Sequence, residues 1–337
     1  MDFEVFVLGT SGMMPLPGRF LTSSMVRRKG ELFLFDCGEG TQVSLKMLNL
    51  KWKKINKIFI SHMHADHVTG LPGILMLSSQ VDRQEPLYIY GPKKLKEYID
   101  SSRKILDMYI NYEIIFVEVN EGVIIENDDY TIEAIRLNHT KPCFGYVMRE
   151  KDRPGEFFPN KAIEYKIKPG PDFGKLQRGE TVLNSDNISI TSQMVVGESR
   201  KGRSFSYITD TLYLESIAEK VKNVDLLLCE GMFEAGMEEV AKEKKHMCVT
   251  QAAQIAKDAN AKCLALMHYS PRYNDFELKA LKYQAKKIFE NTILTKDRMI
   301  FSIPNDGAQI EITKETKKYY TTERVKIFPK EQKKESI

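Results

Sequence analysis

Long apolar runs are missing from this 337-residue chain. No stretch approaches the roughly 18–20 apolar residues of a membrane span, so no membrane-crossing segment is expected. Cysteine is scarce as well. The five (Cys37, Cys143, Cys229, Cys248, Cys263) are odd in number, scattered and without a CxxC pair. That argues against a disulfide framework and for a reducing, cytoplasmic setting. The opening MDFEVFVLGTSG lacks a basic stretch followed by a long apolar one, so a secretion signal is not expected. Neither charge sign dominates: 50 Lys/Arg stand against 46 Asp/Glu, and a net of +4 neither demands nor excludes nucleic acid. Histidine is rarer than any of these charged types, with six in all, and three of them fall between His62 and His67.

What is present reads as a globular protein, with 42% apolar and 28% charged residues. Short apolar runs ended by turn residues predict strands at FEVFVLG, ELFLFDCG, INKIFISH, PLYIYGP, IIFVEV, YTIEAIRLNH, FGYVM, RSFSYITD, VDLLLCEG, KCLALMHYS and RMIFSIP. Amphipathic helices are expected at GTQVSLKMLNL, KKLKEYIDSSRKIL, TLYLESIAEKVKN, VTQAAQIAKDAN and ELKALKYQAKKIFEN. Mixed throughout, these predict an α/β (α+β) class with sheets buried between helical layers. Residues 149–180, rich in charge, proline and glycine between two core strands, read as an excursion from the domain. The C-terminal KETKKYYTTERVKIFPKEQKKESI is a polar, basic tail.

In SHMHADH the strand runs out at Ser61, and His62 and His64 follow two residues apart. On extended backbone that spacing turns both rings to one side. Asp66 and His67 then fall on the turn into VTGLPGILM. Three more runs end on a ligand-capable side chain: YTIEAIRLNH on His139, RSFSYITD on Asp210, KCLALMH on His268. Strand ends are where an open sheet gathers distant residues around one crevice. The count fits two ions, with His62, His64 and His139 at one, Asp66, His67 and His268 at the other, and Asp210 bridging. Two metals about 3.5–4 Å apart can share a hydroxide nucleophile and clamp a phosphodiester undergoing displacement.

The run His62–Met63–His64–Ala65–Asp66–His67 resembles the HxHxDH hallmark of the metallo-β-lactamase superfamily. That resemblance implies a four-layer αββα sandwich with a dinuclear zinc site at one edge. Finer segments resemble the ribonuclease Z family in its short form: LGTSG, FDCGEGTQ, HADHVTGLPGIL, YGP, FGY and HYSPRY. In the excursion, EKDRPGEF, KPGPDFGKLQRGE and KGRSFSYITDT look like that family's exosite arm and its return to the core. The likeness runs from residue 1 to 312, with 149–180 as an inserted tRNA-holding arm and 313–337 as a tail outside it.

The resemblance implies a zinc-dependent endoribonuclease that cleaves 3′ trailers from pre-tRNA and leaves a 3′-hydroxyl on the tRNA. It implies two Zn²⁺ per subunit, with Mn²⁺ as an alternative, a homodimer, and no nucleotide cofactor. By the same resemblance Asp66 would bind metal and take a proton from the attacking water; His246 matches the histidine near the leaving oxygen and Glu230 the glutamate that orients it. Lys168, Gly170, Pro171, Lys175 and Arg178 are the expected exosite residues, and Arg19 the expected contact in the first loop. From Arg149 to Arg178 eight cationic residues face five acidic ones, interleaved with Phe157, Phe158, Tyr165 and Phe173. Cations of this kind contact phosphates regardless of sequence.

Two stretches depart from the family. Cys229-Glu230-Gly231-Met232 stands where it usually has His-Glu-Ala-Thr, and GMMPLPGRF lacks its usual Lys/Arg-Asn pattern. Both motivate an alternative, a small-molecule phosphodiesterase or aryl/sulfate ester metallohydrolase on the same scaffold. A third reading is an RNA-binding protein that kept the scaffold without catalysis.

Overall fold

The computed structural model describes residues 2–313 apart from positions 82 and 306. The tail expected at 313–337 lies outside the described residues from 314 onward. Strands β1 (Phe3–Gly9), β2 (Ser23–Arg28), β3 (Glu31–Phe35), β4 (Ile55–Phe59), β5 (Leu87–Gly91) and β6 (Ile114–Glu118) begin the chain's first sheet. The next sheet takes β7 (Gly122–Glu126), β8 (Tyr130–Asn138) and β9 (Pro142–Glu150). A short pair follows, β10 (Val182–Leu183) and β11 (Ser189–Ile190), and then β12 (Ser204–Ile208), β13 (Leu226–Glu230), β14 (Cys263–Met267) and β15 (Thr292–Leu294). β16 (Ile300–Ser302) and β17 (Glu311–Thr313) return to the first sheet. The orders are β17-β16-β1-β2-β3-β4-β5-β6 and β15-β14-β13-β12-β9-β8-β7.

The two-residue alternation of the strands explains why the sheets face each other. Val5, Val7, Phe33, Phe35 and Phe59 point inward against Ile132, Ala134, Tyr146, Phe205 and Tyr207 of the other sheet. Their neighbours Phe6, Leu8, Leu32 and Leu34 point outward, under α1 (Thr41–Met47), α3 (Leu71–Gln80) and α4 (Lys94–Ile105). On the far side Ile135, Leu137, Val147, Leu227 and Leu264 meet α8 (Ser216–Lys220), α10 (Val249–Asp258) and α11 (Asp275–Lys286). The one-turn α2 (Ala65–Val68) follows directly on His64, and α9 (Glu238–Lys244) precedes His246. Helices lie outside both sheets, as the αββα order requires.

Several elements escaped sequence patterning. β2 reads SSMVRR, too charged for a buried strand, yet Arg27 pairs with Glu4 and Arg28 with Glu150, which lets the strand enter the sheet. α3 carries Pro72 and Gly73, weak helix formers, but Pro sits at the helix start where its missing N–H costs nothing.

The excursion is longer than 149–180. Arg149 and Glu150 still pair within β9, and the chain rejoins the sheet only at Ser204. Between them α5 (Pro159–Glu164), α6 (Pro171–Gln177), β10, β11 and α7 (Ser192–Val195) enclose a small core of their own, Ala162, Ile167, Leu176, Val182, Ile190 and Val195. Residues after 180 supply half of that core, which is why a boundary drawn on charge and glycine stops short.

Candidate metal centre

The first sheet delivers SHMHADH to the site by a rigid exit. Phe59 is stacked between Phe35 and Tyr90, at 5.0 and 4.8 Å between ring centroids. The Tyr146 hydroxyl donates to the Ile60 carbonyl at 2.7 Å, and the Phe144 N–H to that of Ser61 at 3.0 Å. His62 and His64 follow on extended backbone and point together, with His62 Nε2 3.0 Å from His64 Nδ1. From the second sheet come His139 just past β8, Asp210 past β12, Glu230 ending β13 and His268 past β14.

Two groups of donor atoms result, each within 4.8 Å: His62, His64, His139 and Asp210, and Asp66, His67 and His268. Asp210 faces both. Its Oδ2 lies 3.6 and 3.7 Å from Nε2 of His62 and His139, while Oδ1 lies 3.4 and 3.1 Å from Nε2 of His67 and His268. A tetrahedral ion with ligands near 2.0–2.1 Å separates its donor atoms by about 3.3–3.4 Å. The observed spacings bracket that value.

Hydrogen bonding fixes which ring nitrogens face inward. His139 Nδ1 meets the Lys245 carbonyl at 2.9 Å, an acceptor only, so Nδ1 carries the proton. His67 Nδ1 donates to the Asp36 carboxylate at 2.7 Å. Thr22 Oγ1 donates to the Ser11 carbonyl and therefore accepts from His268 Nδ1, 2.6 Å away. Ser61 Oγ donates to Asp36 and so accepts from His62 Nδ1 at 3.0 Å. Four Nε2 lone pairs thus point into the cluster. Those of His67 and His268 are buried with no hydrogen-bond partner, an arrangement that unpaired polar atoms tolerate poorly and a cation resolves. The residues fit divalent metal.

The charges agree. Burial, reinforced by neighbouring imidazoles, holds His62 well below the usual histidine range and lowers His64, while burial outweighs the pull of Asp210 to lower His139. Neutral rings are the ligand form. His67 departs from this: burial acts on it, but Asp210, Asp66 and Asp36 outweigh burial and raise the ring well above its ordinary value, a pull of three carboxylates that a bound cation would take over. Burial would raise Asp210, yet His268, His67 and His246 hold it well below the carboxylate range.

Beside this cluster His246 Nδ1 lies 3.0 Å from Glu230 Oε2, and the other oxygen of Glu230 accepts the Thr211 N–H at 2.6 Å. Burial works against a charged His246, but Glu230 and Asp210 prevail and push it up to about 9. Burial lifts Glu230 above its ordinary value despite that partner. With its value near 9, His246 holds its proton at neutral pH, while the upward shift of Glu230 works in the opposite sense. His246 also stands within 4.8 Å of Asp210 and His268 at its own ligand-capable atom.

Strain collects here. Met13, Asp36, Lys245 and His268 all have left-handed backbone, with φ of 64, 53, 55 and 56°, a conformation costing about 1–3 kcal/mol per residue. Gly12 passes so close that a Cβ would sit 2.7 Å from His268 Nε2. The Met13 N–H donates to Asp66 Oδ2 at 2.7 Å, tying the first loop to the cluster.

The expected exosite residues lie elsewhere. Lys168, Gly170, Pro171, Lys175 and Arg178 are exposed on the arm, with Lys175 paired to Asp172 and Arg178 to Glu180. Phe157 and Phe173 pack on each other at 4.9 Å and Phe158 lies over Lys161, whereas Tyr165 is exposed. Arg19 is half-buried, donating to the Tyr273 carbonyl at 2.6 Å. Cys229 is buried in the apolar layer beneath α10. Asp36, Thr22, Ser61 and Tyr207 escaped sequence reasoning. Asp36 carried a usable signal, since it ends an apolar run just as Asp210 does.

Two family models match parts of the chain: one described as a beta-lactamase superfamily domain over residues 174–269, another as the anti-Pycsar protein Apyc1 over 3–153. The ribonuclease Z of Treponema denticola is 60% identical over 300 residues, covering 89% of this chain and 97% of that protein. The chain belongs to the ribonuclease Z family. The ribonuclease Z of Borrelia hermsii is 42% identical over 89% of the chain and 96% of its own length. The crystal structure of the short form of human tRNase Z superposes with a TM-score of 0.64 at 27% identity, covering 89% of this chain and 99% of that one. The sandwich is thus the metallo-β-lactamase fold, and ribonuclease Z membership with these His/Asp clusters points to use of divalent metal.

Proposed function

We propose that this chain is an endoribonuclease that removes 3′ trailers from pre-tRNA, leaving a 3′-hydroxyl on the tRNA. The observation that carries the reading is the convergence of seven ligand-type side chains on a His246–Glu230 pair at one sheet edge, in a chain 60% identical to a named ribonuclease Z. Two Zn²⁺ per subunit, with Mn²⁺ as an alternative, would be held by His62, His64, His139 and Asp210 and by Asp66, His67, His268 and Asp210. Such ions supply Lewis acidity and lower the pKa of water toward neutrality.

The chain's own residues divide the remaining work. Asp66, oriented by the Met13 N–H, accepts a proton from the attacking water. As the P–O3′ bond breaks, the water oxygen remains on the trailer's 5′-phosphate. His246 delivers its Nε2 proton to the departing O3′, while Glu230 holds Nδ1 and stabilises the charged ring. Four Nδ1 anchors keep the ligand rings from turning.

The arm is the surface proposed to hold tRNA, through Lys168, Gly170, Pro171, Lys175 and Arg178, with Arg19 steadying the first loop at the mouth. It leaves the sheet at Glu150 and returns at Ser204, while the ligands sit past the opposite ends of the same strands. The nine residues of β9 span about 27–30 Å. An arm rooted so far from its own site supports a homodimer in which it serves the partner. Among the described residues no helix is long and apolar enough to cross a membrane, and all five cysteines are free and buried, which supports a cytoplasmic setting.

Mapping the ends left on a 3′-extended pre-tRNA tests the reading; a tRNA 3′-hydroxyl and a trailer 5′-phosphate are expected. His64→Ala should abolish cleavage while tRNA binding persists. A metal-loaded protein that hydrolyses bis(4-nitrophenyl) phosphate but leaves pre-tRNA intact would favour the small-molecule alternative.

A further inference from the structure

The arm stands on a narrow neck of two chain segments. Backbone hydrogen bonds tie Glu150 to Arg203, Arg153 to Arg200, Glu156 to Gly197 and Phe158 to Val195, at 2.8–2.9 Å. A two-stranded ribbon of this kind is marginal by itself, so its angle depends on what holds it at the root. Covalently the neck belongs only to the second sheet, through β9 and β12.

At its root Glu150 is buried together with Arg28 and Arg203. Arg203 grips the carboxylate with two nitrogens, Nε to Oε2 at 2.7 Å and a terminal nitrogen to Oε1 at 2.9 Å. Arg28 Nε adds a bond to Oε1 at 2.8 Å. Arg28 ends β2 and so belongs to the first sheet. Arg203 also donates to the Ile303 carbonyl at 3.3 Å and lies over the Phe3 ring at 5.0 Å, both on the first-sheet side. Glu150 therefore joins both segments of the neck to the opposite sheet. Planar forks of this sort fix angle as well as distance.

We propose that Glu150, gripped by Arg28 and Arg203, is a positioning residue that sets the angle of the arm and thereby the affinity for pre-tRNA. This rests on the reading of the arm as the tRNA-holding surface. The trio touches no ligand-type residue of the metal centre, so the chemistry stays intact when it is loosened, and the loss appears in KM. Gly202 offers a second route without changing charge. A Cβ there would meet the Glu150 carbonyl at 2.1 Å and force the neck segments apart.

The test measures pre-tRNA and bis(4-nitrophenyl) phosphate kinetics on the metal-loaded full chain, with Glu150→Gln and Gly202→Ala and their melting temperatures. An arm-less variant, with a Gly-Ser linker replacing residues 157–195, serves as reference; the apolar clusters of the body contain no residue from that segment. The expected result is a rise in KM for pre-tRNA of about tenfold or more with kcat nearly kept. Hydrolysis of the small diester should stay within about twofold, and Glu150→Gln should add nothing in the arm-less background. Should Glu150→Gln fail to fold, Gly202→Ala and Arg203→Lys carry the test. Unchanged KM in folded variants, with the arm-less protein impaired on pre-tRNA, overturns the positioning role alone. Parallel loss on both substrates makes Glu150 a residue of body stability and also overturns it. Normal pre-tRNA cleavage by the arm-less protein overturns the reading of the arm instead.

Discussion

Asp36→Asn probes the support of the metal centre with minimal change of shape. Asp36 Oδ1 accepts the Ser61 N–H at 2.7 Å; Oδ2 accepts from Ser61 Oγ at 2.7 Å, His67 Nδ1 at 2.7 Å and the Tyr207 hydroxyl at 2.8 Å. An asparagine that keeps its oxygen on the Ser61 N–H turns an NH₂ toward three donors. His67 must then give up the Nδ1 proton, and the tautomer with Nε2 protonated cannot ligate. Turning the amide over merely moves the conflict to the Ser61 N–H. Lost support of this kind costs about 10–100-fold in metal affinity. Each stranded donor costs about 1–3 kcal/mol of stability. The loss should fall mainly on the set of Asp66, His67 and His268. His62 feels it only through Ser61. Metal content per chain and competition with a graded chelator read this without reference to activity, and a melting curve reads the stability. Two tightly held metals in a folded Asp36→Asn protein would refute the tautomer argument.

His246→Ala should lower kcat on pre-tRNA by about 10²–10⁴-fold and lose far less on bis(4-nitrophenyl) phosphate, whose leaving group needs no proton; a drop in bound metal would make His246 a ligand instead. Asp297 accepts from the Thr10 hydroxyl and the Phe20 N–H, and burial pushes its pKa from 3.8 up to about 6. The folded state thus keeps the proton longer than the unfolded chain, and stability falls as pH rises from about 4 to 6, by about 3 kcal/mol from this group. The advantage of the native protein over Asp297→Asn in thermal melts should therefore grow as pH falls through that window, and a constant difference would contradict the assignment. Phe59→Ala empties the centre of a stack with no exposure and should cost about 3–5 kcal/mol in denaturant unfolding.

Much of this protein was local and hence legible in the sequence. The two-residue step from His62 to His64 sets both rings on one side wherever the backbone is extended, and apolar runs ending on His139, Asp210 and His268 announce strand tips. Alternation along Val5-Phe6-Val7-Leu8 determines which side chains face the other sheet. Interactions between distant segments were not legible. No spacing relates Asp36 to His67, 31 residues apart, or Thr22 to His268, 246 apart, yet these bonds choose the tautomers. The charged β2 enters the sheet with Arg27 paired to Glu4 and with Glu150 arriving from the opposite sheet to meet Arg28, and the arm reaches to 203 because its core needs residues on the returning chain. Above all, tertiary structure placed the arm and the ligands at opposite ends of the same strands. Strand direction is a property of pairing, and pairing is settled only when the sheets close on each other.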